Sequence, residues 1–158
     1  MYSMEQKLDL LLRYTVEKDK AVKKRLLEEI VDIVESDNYE PDIDDVTHEL
    51  LDEIGIPNSL TGRAYVEYAV KLVVTKQCST FKMNHNLYPT VALKFNTTDS
   101  RAERAIRHAI EVVANRRGSD DIAHLIGCAI NPCTGKVTNS EFIAGCASTV
   151  RMRMGGIV

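Results

Sequence analysis

The spacing of its apolar residues constrains this chain most. Met4, Leu8, Leu11 and Leu12, then Val22, Leu26, Ile30, Ile33 and Val34, recur at three- and four-residue steps, while no run alternates as a half-buried strand would. The expected fold class is therefore all-α. Residues 3–35 read as one or two amphipathic helices. The stretch "SDNYEPDIDD", residues 36–45, reads as a linker, because Pro41 and its cluster of Asp, Asn and Ser disfavour continued helix. Its "DIDD" end serves to cap and to complement the dipole of the helix that follows. The expected division is an acidic helical extension at 1–45 and a helical domain at 46–158.

Within the larger part, a short helix from Val46 to Ile54 stops at Gly55, with Pro57 just beyond. A second opens at Thr61 or Gly62 and runs to Val74, with Ala64, Tyr68, Val70, Leu72 and Val73 expected in the core. "TKQCSTFKMNHN" is expected to be irregular. Leu87 to Phe95 reads as a short helix with Pro89 in its first turn. A long helix opens near Asp99 or Ser100 and extends to about Asn115, with Ser100 and Glu103 spaced as a capping box and Thr97 and Thr98 competing for the cap. Asp120 to Ile126 forms a helix ended by Gly127, and Thr138 with Glu141 starts a last helix to about Met152. That makes six helices after the linker.

Charge is divided unevenly. Residues 1–60 carry 7 Lys and Arg against 16 Asp and Glu, and residues 61–158 carry 13 against 7, so a net charge of -3 conceals a basic module behind an acidic one. The longest stretch free of Asp, Glu, Lys and Arg, Ile122 to Gly135, is too short to span a bilayer, and Asp9 breaks the only apolar run near the start. No membrane association and a cytoplasmic location are expected. Cys78, Cys128, Cys133 and Cys146 include no CxxC pair; with His124 they match no recurring zinc spacing and read as buried, inert thiols. No metal or cofactor is expected.

"FNTTDSRAERAIRHAIE" concentrates three arginines and a histidine in one segment. On a helical wheel Ala102, Ala105, Ile106, Ala109, Ile110, Val112 and Val113 fall on one half, and Arg101, Glu103, Arg104, Arg107, His108 and Glu111 on the other. The residues before it meet the needs of a helix-turn-helix. Ala92 offers a small side chain beside Val91 and Phe95, Asn96 tolerates positive φ, and Ala102 and Ala105 allow close packing of the second helix. In that motif the second helix, about 99–115, enters the major groove. Arg101, Glu103, Arg104 and His108 are then placed to reach base edges, since arginine fits guanine O6 and N7 and glutamate accepts from cytosine N4. Lys94, Thr97, Thr98 and Ser100 suit phosphates near the helix N-terminus, and Arg107, Arg116 and Arg117 suit phosphates or bases.

"HELLDEIGIPNSLTGRAYVEYAVKLV", "LYPTVALKFNTTDSRAERAIRHAIEVV" and "TNSEFIAG" together resemble the C-terminal effector domain of the master sporulation response regulators of endospore-forming Firmicutes, over about residues 48–153. The resemblance implies a six-helix domain that binds TTCGACA-type boxes as tandem dimers and activates or represses transcription. It assigns Arg101, Glu103, Arg104, Arg107 and His108 to the recognition helix and the last helix, from Asn139, to contacts between neighbouring DNA-bound domains. It assigns "NRRGSDDIAHLIGCAINPCTGK" to the surface offered to RNA polymerase sigma factor. The family also carries an α/β receiver upstream. The acidic helical segment of roughly 45 residues here is too short to form one, so receiver phosphorylation is not the expected control.

The expected function is a sequence-specific, double-stranded DNA-binding transcriptional regulator, its N-terminal helix pairing two copies as a homodimer or binding another protein. The alternative is a modulator that pairs with a full-length sporulation regulator and antagonises it. An enzyme is not expected: His48, His85, His108 and His124 lie in no nucleophile motif, and no glycine-rich phosphate loop is present.

Overall fold

A computed structural model of the chain describes residues 3–37 and 42–155. These fall into two units, Met1–Glu40 and Pro41–Val158. The part of the 36–45 stretch at 38–41 lies outside the described residues.

The first unit is a pair of helices, α1 (Met4–Val16) and α2 (Lys20–Asp37). Ser3 and Gln6 form a reciprocal capping box at the start of α1. Between the helices, the Glu17 carboxylate accepts from the Lys18 and Asp19 amides, and Asp19 in turn accepts from the Ala21 and Val22 amides. The chain therefore reverses within three residues, with its free N–H groups satisfied by carboxylates. Only Leu10, Leu26 and Ile33 are buried here among the described side chains, backed by Tyr14 and Ile30.

The second unit holds α3 (Ile43–Ile54), α4 (Thr61–Val74), α5 (Tyr88–Lys94), α6 (Asp99–Arg117), α7 (Ser119–Ile126) and α8 (Asn139–Arg153). No strand occurs among the described residues, only one isolated bridge between Asn131 and Lys136. The all-α expectation and the six helices are thus met. Gly55 ends α3 in the left-handed region at φ 94°, donating its N–H to the Leu51 carbonyl. A side chain there would meet the Cβ strain that glycine avoids. Thr138 and Glu141 form the expected capping box of α8.

The core runs through this unit on Leu50, Leu51 and Ile54 of α3, Val66 and Val70 of α4, Ile106 of α6, Ile122 of α7 and Phe142 and Ile143 of α8. α4 is central, packing on α3, α6 and α8. Of the residues expected in the core, Val70 and Leu72 are buried, Tyr68 and Val73 are half-buried against it, and one departs. Ala64 is exposed, whereas Gly62, Arg63, Tyr65, Val66 and Ala69 are buried.

Arg63, 3% exposed, joins α3 to α4. Its guanidinium donates to the carbonyls of Ile56 at 2.6 Å and His48 at 3.1 Å, and pairs with Asp52 at 2.8 Å and Glu67 at 3.0 Å. Every face of the buried cation is thereby matched, which is the condition for burying one.

The connection expected to be irregular is partly helical. Thr80–Lys82 forms a 3₁₀ turn, and Met83–Leu87 forms a π-turn running straight into α5, with Met83 and Leu87 buried. Burial of those two side chains needs the wider turn, a tertiary demand that local pattern does not carry.

Candidate nucleic-acid interface

Helices α5 and α6 are joined by the turn at residues 95–98. Phe95 anchors it, its ring 4.6 Å from that of Tyr65 and edge-on to Tyr68 at 5.9 Å. Asn96 then takes φ 50°, as its residue type allows, and the Thr97 N–H returns to the Ala92 carbonyl at 2.9 Å. Thr98 is the cap: its hydroxyl oxygen accepts from the Arg101 amide at 3.3 Å. Ser100, the first-named candidate for that role, lies one residue inside α6 with its side chain exposed.

The inner face of α6 is Ala102, Ile106, Ala109, Ile110 and Val113, all buried. The Ala105 backbone lies against α4: a Cβ added at Gly62 would sit 2.0 Å from the Ala105 carbonyl oxygen and 3.0 Å from the Ala109 Cβ. α6 is therefore seated on α4 by backbone contact, which fixes the outward direction of its other face.

On that outer face Arg101, Arg104 and His108 are exposed, and no hydrogen bond or ion pair holds them among the described residues. Arg107 is also exposed but pairs with Glu103, one turn back on the same helix. Glu103 is half-buried, and its backbone carbonyl accepts from the Asn139 side chain at 3.3 Å. The same Asn139 amide donates to the Tyr88 hydroxyl at 3.0 Å. One residue at the start of α8 thus ties together the first residue of α5 and the middle of α6. Burial pushes the Tyr88 phenol above its ordinary range, so it stays a neutral partner.

Arg116 and Arg117 are exposed at the far end of α6. Lys94, also exposed, lies over the Tyr68 ring at 5.8 Å. Thr97 is half-buried. Arg104 and Arg107 line an open trough beside α6, which Lys82, His85, Lys136 and Asn139 line as well. Asp99, Glu103 and Glu111 line it too, so the trough is mixed in sign. The sequence gives Lys82, His85 and Lys136 no place beside the recognition helix, since they lie outside α6 in the chain and only folding brings them to it.

The thiols do not all follow expectation. Cys78 and Cys146 are buried, Cys128 is half-buried, and Cys133 is exposed in the loop before α8. Among the described residues no three His, Cys, Asp or Glu side chains are grouped to hold a metal ion, and no helix is long and apolar enough to cross a membrane.

A short helix, a positive-φ turn and a capped second helix with exposed arginines on a rigid helical base define the helix-turn-helix class of DNA-binding effector domain. The family described as the sporulation initiation factor Spo0A C terminal matches residues 47–150. The chain belongs to that family, a family of DNA-binding domains that act in sporulation and its transcriptional control rather than a family of enzymes.

Proposed function

We propose that this protein is a sequence-specific regulator that inserts α6 into the major groove. The observation that carries this is the pair of faces on α6: Arg101, Arg104 and His108 stand exposed and unpaired opposite a wholly buried Ala102, Ile106, Ala109 and Ile110. Unpaired guanidinium groups on a rigid support lose little on meeting guanine O6 and N7. Glu103 reaches a base edge only if Arg107 yields it, so the two act as one unit. Lys94, Thr97, Thr98, Ser100, Arg107, Arg116 and Arg117 hold phosphates. The Thr98 hydroxyl accepts from Arg101 and keeps its own proton to donate. TTCGACA-type boxes are the targets, approached on the nucleoid, with residues 115–136 offered to a sigma factor. The helices α1 and α2 support pairing of copies.

Selection of bound sequences from a random duplex pool tests this. Enrichment of a TTCGACA-like motif is expected, and enrichment that is lost on Arg104→Ala assigns it to α6. Binding without any enriched motif overturns the base-reading role. A second reading, a modulator that pairs with a full-length regulator, is favoured by the apolar side chains exposed on α1 and α2. It requires that promoter output of the regulator fall when Arg104→Ala protein is added.

A further inference from the structure

The helical pair α1–α2 exposes Met4, Leu8, Leu11 and Leu12 on α1 and Leu27, Val31 and Val34 on α2, against three buried residues, Leu10, Leu26 and Ile33. So small a core does not hold a unit of this size by itself, and oligomerisation is a usual remedy. These seven form one surface, whereas Val16 and Val22, also exposed, fall on the opposite side. At 100° per residue, Leu27, Val31 and Val34 fall within an arc of about 60°, displaced from the Leu26–Ile33 contact line in one rotational sense; the α1 stripe is displaced from Leu10 and Tyr14 in the same sense. Two antiparallel helices reverse that sense between them, so both stripes emerge on the same side of the pair.

Charge along α2 identifies the occupant. Its first half carries Lys20, Lys23, Lys24 and Arg25, and its second half carries Glu28, Glu29 and Asp32. The first turn has no acidic residue and the last turn no basic one. Within α2 this order opposes the helix macrodipole, offset at the N-terminus only by the Asp19 carboxylate on the Ala21 and Val22 amides, and it costs the isolated helix stability. An antiparallel second α2 removes the cost, because it sets the basic half of each copy beside the acidic half of the other. A parallel copy sets like against like, and a uniformly charged partner satisfies only one half.

We infer that α1–α2 is a homodimerisation module in which two copies pair about a two-fold axis near Leu27, with α2 antiparallel to its mate and the α1 stripes closing the bundle. This names the geometry of the pairing suggested above, and it does not rest on DNA recognition. With the axis at Leu27, Lys20 of one copy lies opposite Val34 of the other, and Lys23 opposite Val31.

Sedimentation equilibrium of the full chain without DNA tests the pairing. A dimer is expected at micromolar concentration, weakened at least about tenfold by Leu27→Asp, with any loss of helical circular dichroism following dissociation and reversing as protein concentration rises. Orientation is tested by mild oxidation in a Cys133→Ser background. Lys20→Cys mixed with Val34→Cys should give a cross-linked dimer, and Lys20→Cys alone should not. A chain that stays monomeric at about 100 µM, or dimerises undiminished with Leu27→Asp, overturns the module. Efficient cross-linking of Lys20→Cys to itself overturns the antiparallel arrangement. DNA selection reads α6 separately, so failure of either idea leaves the other standing.

Discussion

Gly62 of α4 and Ala105 of α6 meet backbone to backbone: a methyl group added at Gly62 would lie 2.0 Å from the Ala105 carbonyl oxygen, well inside any tolerable contact. The obstacle is main chain on both sides, so no side-chain rotation relieves it. Gly62→Ala should force the two helices apart and destabilise the fold by about 1–3 kcal/mol. Urea unfolding would read that loss. Because α6 is displaced, affinity for a matched DNA site should fall further than stability alone explains at temperatures where the variant is folded. An unchanged urea midpoint would show that α6 is not seated there.

Arg104→Ala should cost about 1–3 kcal/mol on the selected site and relax preference at one base pair, while affinity for random duplex changes little. Lys94→Ala should weaken all sequences alike and lower the magnitude of the salt slope by about one. Titrations of both variants on matched and random duplexes at several salt concentrations separate the two roles. Equal losses on both DNAs for Arg104→Ala would remove it from base recognition.

Thr98→Ala should cost about 1 kcal/mol, since it deprives the Arg101 amide of its cap. Ser100→Ala, one turn position inside the helix and exposed, should stay within about 0.5 kcal/mol. Paired denaturation curves decide between the two candidate caps.

Arg63→Met should destabilise by about 2–3 kcal/mol, because the carbonyl groups of Ile56 and His48 lose their buried donor. Arg63→Lys should recover little of this, as an ammonium cannot serve four partners spread around a planar fork. Thermal melts of both variants provide the check.

Cysteine reactivity should rank by exposure. Cys133 should react with a thiol reagent within mixing time, and Cys146 only as fast as the protein opens. Burial also pushes the Cys146 thiol well above its ordinary range. Its neutral form is favoured in the folded state, so its contribution to stability is complete below the unfolded thiol's pKa, near 8.5, and declines as pH rises past it. The urea midpoint should therefore be lower at pH 9.5 than at pH 7, and the pH dependence should flatten in Cys146→Ala.

Much of this was legible in the sequence. The bounds of α4 were read as they stand, and so were Gly55, Gly127 and the Thr138–Glu141 box, because each depends on residues within one helical turn of one another. Asn96 likewise carries its positive φ on its own residue type. Where neighbours compete locally, pattern does not choose. Thr98 prevailed over Ser100 because the Thr97 N–H closes back on Ala92 and Phe95 is held by Tyr65 and Tyr68, which sets where helix geometry can begin. Met83–Leu87 escaped notice because its helical form is stabilised by burial of Met83 and Leu87, not by its own propensity. Ala64 was placed inside for its apolar character, whereas the buried positions beside it are Gly62 and a fully partnered Arg63.

The sequence by itself determined the helical class, the caps, and which side of α6 is basic, since periodicity and capping act over three or four residues. Tertiary structure alone decided that α6 rests on α4 through Gly62 and that Asn139 ties α5 to α6. It also brought Lys82, His85 and Lys136 to the flank of α6. Such relations join residues dozens of positions apart, and they exist only once the apolar faces have found one another and fixed the helices in space.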